Sequence, residues 1–363
     1  MLEKRTSAAA LLFNGHRLTM ARQLAGLKKA HLARMLQMSP ASVTAWENGS
    51  KKPSSATIAK ISLALGVAPQ FFSSGMPIQV DQPHFRSLRA TPQIDQDRAK
   101  AYGEFIAEVT RLFETVVDFP PVMLPSNLTV YPDESGYTPE QAARKTREFF
   151  QIPPGPIQHV IRFIERAGVV VVFSQSDTAA IDAYSMHSAG RPLVILNPAK
   201  DDYYRQRFDA AHELGHLIMH VDAEPGGKIA EQQAHRFAAE FLMPANDIKP
   251  FLPKTTSHNG WSKLADLKEY WGVSLAALLY RARQLGNMND VTYRNAMIRM
   301  SQNGWRRAEP GRVTSLEMPS MLPRAHEVLV EADISKEQFL SGSGLPVRLY
   351  EIAVSRVPIM EET

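Results

Sequence analysis

The residues of this chain that could do chemistry gather in one short run, His212-Glu213-Leu214-Gly215-His216. On an α-helix, side chains four apart leave the same face about 6 Å apart along the axis. Two imidazoles so placed can hold one Zn²⁺ at about 2.0–2.1 Å each. The glutamate beside the first histidine can then act as general base on a water at the metal, the pattern of a hydrolytic H-E-x-x-H site. Five letters recur by chance, so the setting matters. Inside an apolar helix, two imidazoles and a carboxylate without partners would be costly. A third ligand has to come from another element. His220 continues the same face, but at about 12 Å along the axis from His212 it is too distant to share the ion. It reads as a supporting histidine behind the ligands, or a structural one.

The elements that must position this run are visible around it. The motif helix extends from Tyr203 to Val221 without a proline, with Phe208, Ala211, Leu214, Gly215, Ile218 and Met219 as its buried stripe. A second, acidic helix follows from Glu231 to Met243. Upstream, β-rich runs at 168–173, 180–185 and 192–196 fit a small mixed or antiparallel sheet next to the motif helix. The run from Asp182 to Met186 is the candidate edge for an extended substrate, because Tyr184 and Ser185 suit an open edge. An ordinary edge strand is the alternative. No oxyanion donor is evident, and Tyr184 and His187 are the guesses. Helical patterns also cover 98–117, 138–150, 157–167, 262–286 and 288–305, with partial helix over 319–339. The helix at 98–117 is expected to bridge modules, to dimerise, or simply to pack a core. Val347 to Val354 reads as a final strand.

Composition sets the limits. The 363 residues, 44% of them apolar, suffice for two or three domains with real cores. The absence of cysteine excludes disulfides and thiolate-bound zinc, and fits a reducing cytosol. The apolar patch from Ala8 to Phe13 is too short for a signal sequence or a membrane span. A soluble, cytoplasmic protein with no membrane partner is expected. The net charge is +4, but residues 1–75 hold ten Lys or Arg against two acids, which is +8 and leaves −4 for the rest. A basic head on a mildly acidic body points to an anionic partner such as duplex DNA.

That head reads as five short helical pieces: 15–25, 29–35, 40–47, 55–65 and a turn at 69–73. Ser39 is a plausible N-cap with Pro40 at the first helical position, and Asn48-Gly49 ends that piece. Two short helices joined by a tight turn, the second one capped and polar, have the layout of a helix-turn-helix. Residues 76–97 follow as a proline-containing linker.

Two resemblances rest on these residues. The run from RLTMARQLAGLKKAHLARMLQMSPASVTAWENGS to SLALGV resembles a Cro/C1, xenobiotic-response-element type helix-turn-helix. The resemblance implies a core at Leu27, Leu32, Ala33, Val43, Trp46, Pro53, Ile58, Ile61 and Leu65, and a partly buried ion pair between Arg22 and Glu47. It also implies a third helix in the major groove with Ser39, Ala41, Ser42 and Thr44 near bases or phosphates. Lys28, Lys29, Lys51 and Lys52 would neutralise phosphates, although many relatives carry glutamine where this chain has Lys29. Binding as a homodimer to half-sites one helical turn apart would follow. Further on, RFDAAHELGHLIMH followed by EQQAHRFAAEFLMP resembles the ImmA/IrrE metallopeptidases. This implies Zn²⁺ on His212, His216 and Glu231, with Glu213 catalytic. His235 stands where that family commonly has asparagine, so it is either near the metal or a hydrogen-bonded supporting residue. The stretches HFRSLRATP and MSQNGWRRAEPG also resemble longer members that join the two modules.

The expected fold is mainly α with a small β-sheet (α+β). An all-helical helix-turn-helix domain at 1–75 and the linker at 76–97 precede a zincin-like metallopeptidase domain at 98–287. A C-terminal extension of unknown role covers 288–363. The expected function is a DNA-binding transcriptional regulator whose zinc endopeptidase cleaves another protein, a repressor in a stress-response, phage or mobile-element circuit. The competing expectation is a repressor or antitoxin-like regulator whose metal site is structural or inactive. A third reading makes the basic head a protein-docking module.

Overall fold

The structure is a computed structural model that describes residues 2–85, 91–175, 183–200, 202–220, 227–306, 308–311 and 315–359. The chain opens with α1 (Leu2–Leu11), α2 (Gly15–Leu24), α3 (Lys29–Met35), α4 (Pro40–Glu47) and α5 (Ser55–Leu65). Side-chain caps set their starts. Ser39 accepts from Ser42 N ahead of α4, Ser54 accepts from Thr57 N ahead of α5, and Gly66 closes α5 in the left-handed conformation. The helix α1 was not foreseen: it lies across α5 and the turn at Pro69–Ser73, burying Ala9 and Phe13.

The body follows as β1 (His84–Phe85), α6 (Gln93–Phe113), α7 (Pro139–Phe149), α8 (Val160–Arg166), β2 (Val170–Phe173), β3 (Ala183–Met186) and β4 (Leu193–Leu196). Next come α9 (Tyr203–Met219), α10 (Lys228–Leu242), α11 (Ala245–Ile248), α12 (His258–Trp271), α13 (Leu275–Gln284) and α14 (Asp290–Gln302). The chain finishes with α15 (Met321–Glu331), α16 (Lys336–Leu340) and α17 (Val347–Ala353). The fold is mainly α with one small sheet, as expected. None of the helices among the described residues is long and apolar enough to cross a membrane.

The sheet has the order β1-β3-β4-β2, with β2 parallel to β4 and the other pairs antiparallel. Its strands are covered on both faces, and their side chains divide with period two. Val170, Val172, Tyr184, Met186, Leu193 and Ile195 face one core, with α2, α6 and the C-terminal helices. Val171, Phe173, Ala183, Val194 and Leu196 face the other, with α8, α9 and α10. Gly103 brings α6 close to β3, since a Cβ there would stand 2.1 Å from Met186 Sδ.

The first core runs across the expected boundaries. It joins Leu18 and Phe71 of the N-terminal helices, Phe105 and Phe113 of α6, and Leu322 and Tyr350 of the C-terminal segment. Arg17 Nη1, buried, pairs with Glu108 Oε2 of α6 at 2.7 Å. So α6 bridges within the chain, one of the roles expected for it. The 288–363 segment is woven into the body: Glu165 of α8 accepts from Ser320 N and Met321 N, and Glu317 pairs with Arg207 of α9.

Two expectations are corrected. Of the run from Asp182 to Met186 expected as an open edge, the described part, Ala183–Met186, is β3 and has a strand on either side. Within the segment expected as linker, β1 pairs with β3 through His84↔Ser185 and Phe85↔Tyr184, and Val80 bridges Ser188. Tyr184 and Ser185 are buried as well, Tyr184 in the core that includes α6 and Ser185 against Glu213 of α9. Residues 180–182 of the expected strand, and 86–90 of HFRSLRATP, lie outside the described residues. The expected last strand is the helix α17, where Tyr350 and Ala353 share the buried side at helical spacing and the buried Val354 follows as its C-cap.

Candidate metal centre

The helix α9 starts at Asp202, whose carboxylate accepts from Tyr204 N and Arg205 N. One turn in, the guanidinium of Arg207 is buried and donates to Gly272 O, Ile157 O and Glu317. The helix is thereby locked against α8, α12 and the C-terminal segment before it reaches the motif. His212, Glu213 and His216 are then buried at 4%, 2% and 1% exposure. The neighbouring helix α10 packs closely on α9 because position 215 is glycine. A Cβ there would lie 2.9 Å from Phe237 Cδ1. This approach carries Glu231, in the first turn of α10, to the histidines.

The three expected ligands come together. His212 Nε2 is 3.1 Å from Glu231 Oε2 and 3.2 Å from His216 Nε2. His216 Nε2 is 3.2 Å from Glu231 Oε1. Their ligand atoms form a group, all within 4.8 Å of one another. Tetrahedral ligands about 2.0–2.1 Å from an ion stand roughly 3.3 Å apart, so the donor set fits a metal of zinc size. Three protein ligands are also the number used by catalytic sites, whereas structural sites close with four. Burial raises the Glu231 carboxyl, but the adjoining His212 and His216 outweigh it and hold the group far below the usual range. Burial, and then the nearby His212, lower His216.

Glu213 is not part of that group. Its Oε2 accepts from Ser185 Oγ at 2.7 Å, which ties the carboxylate to β3. Sequence reasoning missed Ser185 in this role. The only signal was its parity opposite to Tyr184, and that has meaning only once the strand register is known. Tyr184 is a correction to the oxyanion guess. It belongs to the core on the other side of the sheet, and its hydroxyl donates to Ala99 O at 3.3 Å. His187 is half-buried one residue beyond β3.

Behind the ligands, His220 Nδ1 lies 3.0 Å from His216 Nδ1, and His220 Nε2 lies 3.0 Å from Gln233 Oε1. Burial and the neighbouring His216 push His220 down to about 4. His235 stands between the rings of Phe208 and Tyr280, at 4.8 Å and 5.2 Å. With His212, Glu231 and Tyr280 it lines an open cavity of about 440 Å³. A second cavity of about 540 Å³ continues past His235 and Tyr280 to Tyr293, Met297 and Trp305. Glu240 is held by Arg144 at 3.0 Å and by Arg281, apart from the metal group.

On the N-terminal helices, Lys28, Ser39, Ala41, Thr44 and Lys51 are exposed and Ser42 is half-buried. Lys29 Nζ is 3.2 Å from Glu47 Oε2, and Lys52 Nζ donates to Leu11 O at 2.6 Å. Glu47 also holds the buried Arg22 through Nε at 2.6 Å, the ion pair that the resemblance implied. The Ser39 hydroxyl is committed to capping α4.

Comparison with known families agrees with this layout. Residues 18–72 match the family described as helix-turn-helix, and residues 164–283 match the peptidase family described as IrrE N-terminal-like domain. No curated protein matches the chain. The chain thus joins, in that order, a helix-turn-helix domain and an IrrE N-terminal-like peptidase domain.

Proposed function

We propose that this protein is a DNA-binding transcriptional regulator whose second domain is a zinc-dependent endopeptidase acting on another protein, a repressor of its own circuit. The observation that carries the reading is the convergence of His212, His216 and Glu231 with an intact Glu213 beside them. A zinc ion held by those three residues would polarise the scissile carbonyl and the attacking water. Glu213, steadied by Ser185, would take the proton from that water and pass it to the leaving amine. A site that served only structure has no use for such a carboxylate. His212, His216 and Glu231 hold and orient, while Glu213 moves the proton. With β3 covered by β1, the substrate would enter by the groove past His235 and Tyr280. The basic face of the helix-turn-helix, with Lys28 and Lys51 exposed, would bind duplex DNA, and a homodimer would match paired half-sites.

The test uses the purified full chain. Its metal content is assayed, and repressor proteins encoded beside its gene are offered as substrates. The native chain should carry about one zinc. Glu213→Gln should keep the metal and lose about 10²–10⁴-fold in cleavage rate, while Glu231→Gln should lose metal and cleavage together. If Glu213→Gln cleaves as fast as the native chain, the peptidase reading fails and the non-enzymatic regulator takes its place.

A further inference from the structure

Behind the metal group a line of polar contacts leads from His216 to a backbone carbonyl: His216 Nδ1 to His220 Nδ1 at 3.0 Å, His220 Nε2 to Gln233 Oε1 at 3.0 Å, and Gln233 Nε2 to Tyr131 O at 2.8 Å. His216, His220 and Gln233 are 1%, 2% and 3% exposed. The line has a direction, and its last member sets it. A carbonyl oxygen only accepts, so the Gln233 amide must turn its NH₂ toward Tyr131. That leaves Gln233 Oε1 facing His220 Nε2, which must therefore carry the hydrogen. In a neutral imidazole the other nitrogen is then an acceptor. His220 Nδ1 accepts, and His216 Nδ1 must donate. The lone pair of His216 is left on Nε2, the atom that faces His212 and Glu231. Reversing the line would set Gln233 Oε1 against Tyr131 O, two acceptors in a buried contact.

We propose that His220 and Gln233 are positioning residues that fix His216 as its Nδ1–H tautomer and so present its Nε2 lone pair to the metal. The proposal rests on the metal site described above and extends it. Free imidazole in water favours the Nε2–H form, which would point a hydrogen at the ion. A buried ring cannot borrow water to correct this, so the partner of the far nitrogen decides the tautomer. The spacing of the three histidines also gains a reason. At four residues beyond His216, a side chain is too distant from His212 to share the ion but lies directly behind the second ligand.

The test reads the tautomer and the metal separately. In the metal-free full chain with ¹⁵N-labelled histidine, His216 should show a protonated Nδ1 and an unprotonated Nε2. Zinc titration should show a loss of about 10–100-fold in affinity for His220→Phe. His220→Asn, whose amide oxygen can stand where Nδ1 does, should recover much of it. Gln233→Met, which keeps length but no polar atoms, should also weaken zinc binding. It serves as the informative variant if His220→Phe does not fold. An Nε2–H tautomer at His216 in the native chain overturns the proposal. So does an unchanged zinc affinity in Gln233→Met or in a folded His220→Phe. A native chain that binds no zinc would instead overturn the metal site itself, whatever the tautomer.

Discussion

Ser185 Oγ donates to Glu213 Oε2 at 2.7 Å, from the sheet to the helix that bears both motif histidines. The serine is fully buried and Glu213 is 2% exposed, so water cannot replace the bond. Hydrogen bonds to charged groups contribute about 1.5–3 kcal/mol. Ser185→Ala should therefore leave the zinc content unchanged and lower kcat/KM by about 10- to 100-fold, since the carboxylate loses its orientation but not its place. Metal analysis beside cleavage kinetics checks this. An undiminished rate would show that the helix alone orients Glu213.

Gly215 is the point at which α9 and α10 meet, with Phe237 Cδ1 and Cγ at 2.9 Å and 3.1 Å from where a Cβ would stand. Phe237 is fully buried and cannot swing away. Gly215→Ala should cost about 1–3 kcal/mol of stability by overpacking. The shift should also be felt at the metal, because Glu231 rides on the helix that must move. Thermal unfolding and zinc titration should both report the change. A variant with native melting and native affinity would mean that the helices separate without strain.

The exposed lysines of the N-terminal helices divide by their partners. Lys29 pairs with Glu47, and Lys52 caps the end of α1 at Leu11 O. Their charges are committed in part before any phosphate arrives. In the full chain, Lys51→Ala should reduce the slope of log affinity against log salt by about 0.9, with less change for Lys29→Ala. Filter binding or fluorescence anisotropy at several salt concentrations would measure it. Equal slopes for Lys51→Ala and the native chain would take Lys51 off the DNA face.

What was legible in the sequence is what local spacing encodes. His212 and His216 four apart, Ser39-Pro40 at a helix start and Gly66 at a helix end each state their structure within a few residues. The β-rich runs announced a sheet but not its order, because pairing joins distant segments. Nothing local at His84-Phe85 says that two residues of an expected linker close the edge of β3. The side of the sheet on which Tyr184 and Ser185 emerge likewise depends on register, so the wrong one of the two was chosen for the site. Val347 to Val354 carries apolar residues that suit period two and period 3.6 alike. Packing of Tyr350 into the α6 core decides for the helix.

Glu317 offers a test of how the C-terminal segment supports the motif helix. Its carboxylate lies against the Arg207 guanidinium, 3.0 Å from His159 Nδ1, and accepts from Ile161 N at 2.8 Å. Burial raises its pKa, but the His159 hydrogen bond and the Arg207 charge outweigh that and hold it below the usual 4.5. A carboxyl depressed by folding contributes stability that is present above its unfolded pKa and is lost as pH falls through the folded one. The contribution of Glu317 should thus be complete at neutral pH and fade only below about pH 4.5. Glu317→Gln removes the charge and leaves Arg207, 2% exposed, without its counter-ion. Breaking a buried pair in this way costs about 3–5 kcal/mol. Denaturant unfolding at neutral pH should show that loss, and the gap between variant and native chain should narrow as the pH is taken below 4.5. A gap that stayed constant into acid would mean that the charge of Glu317 is not what the fold uses.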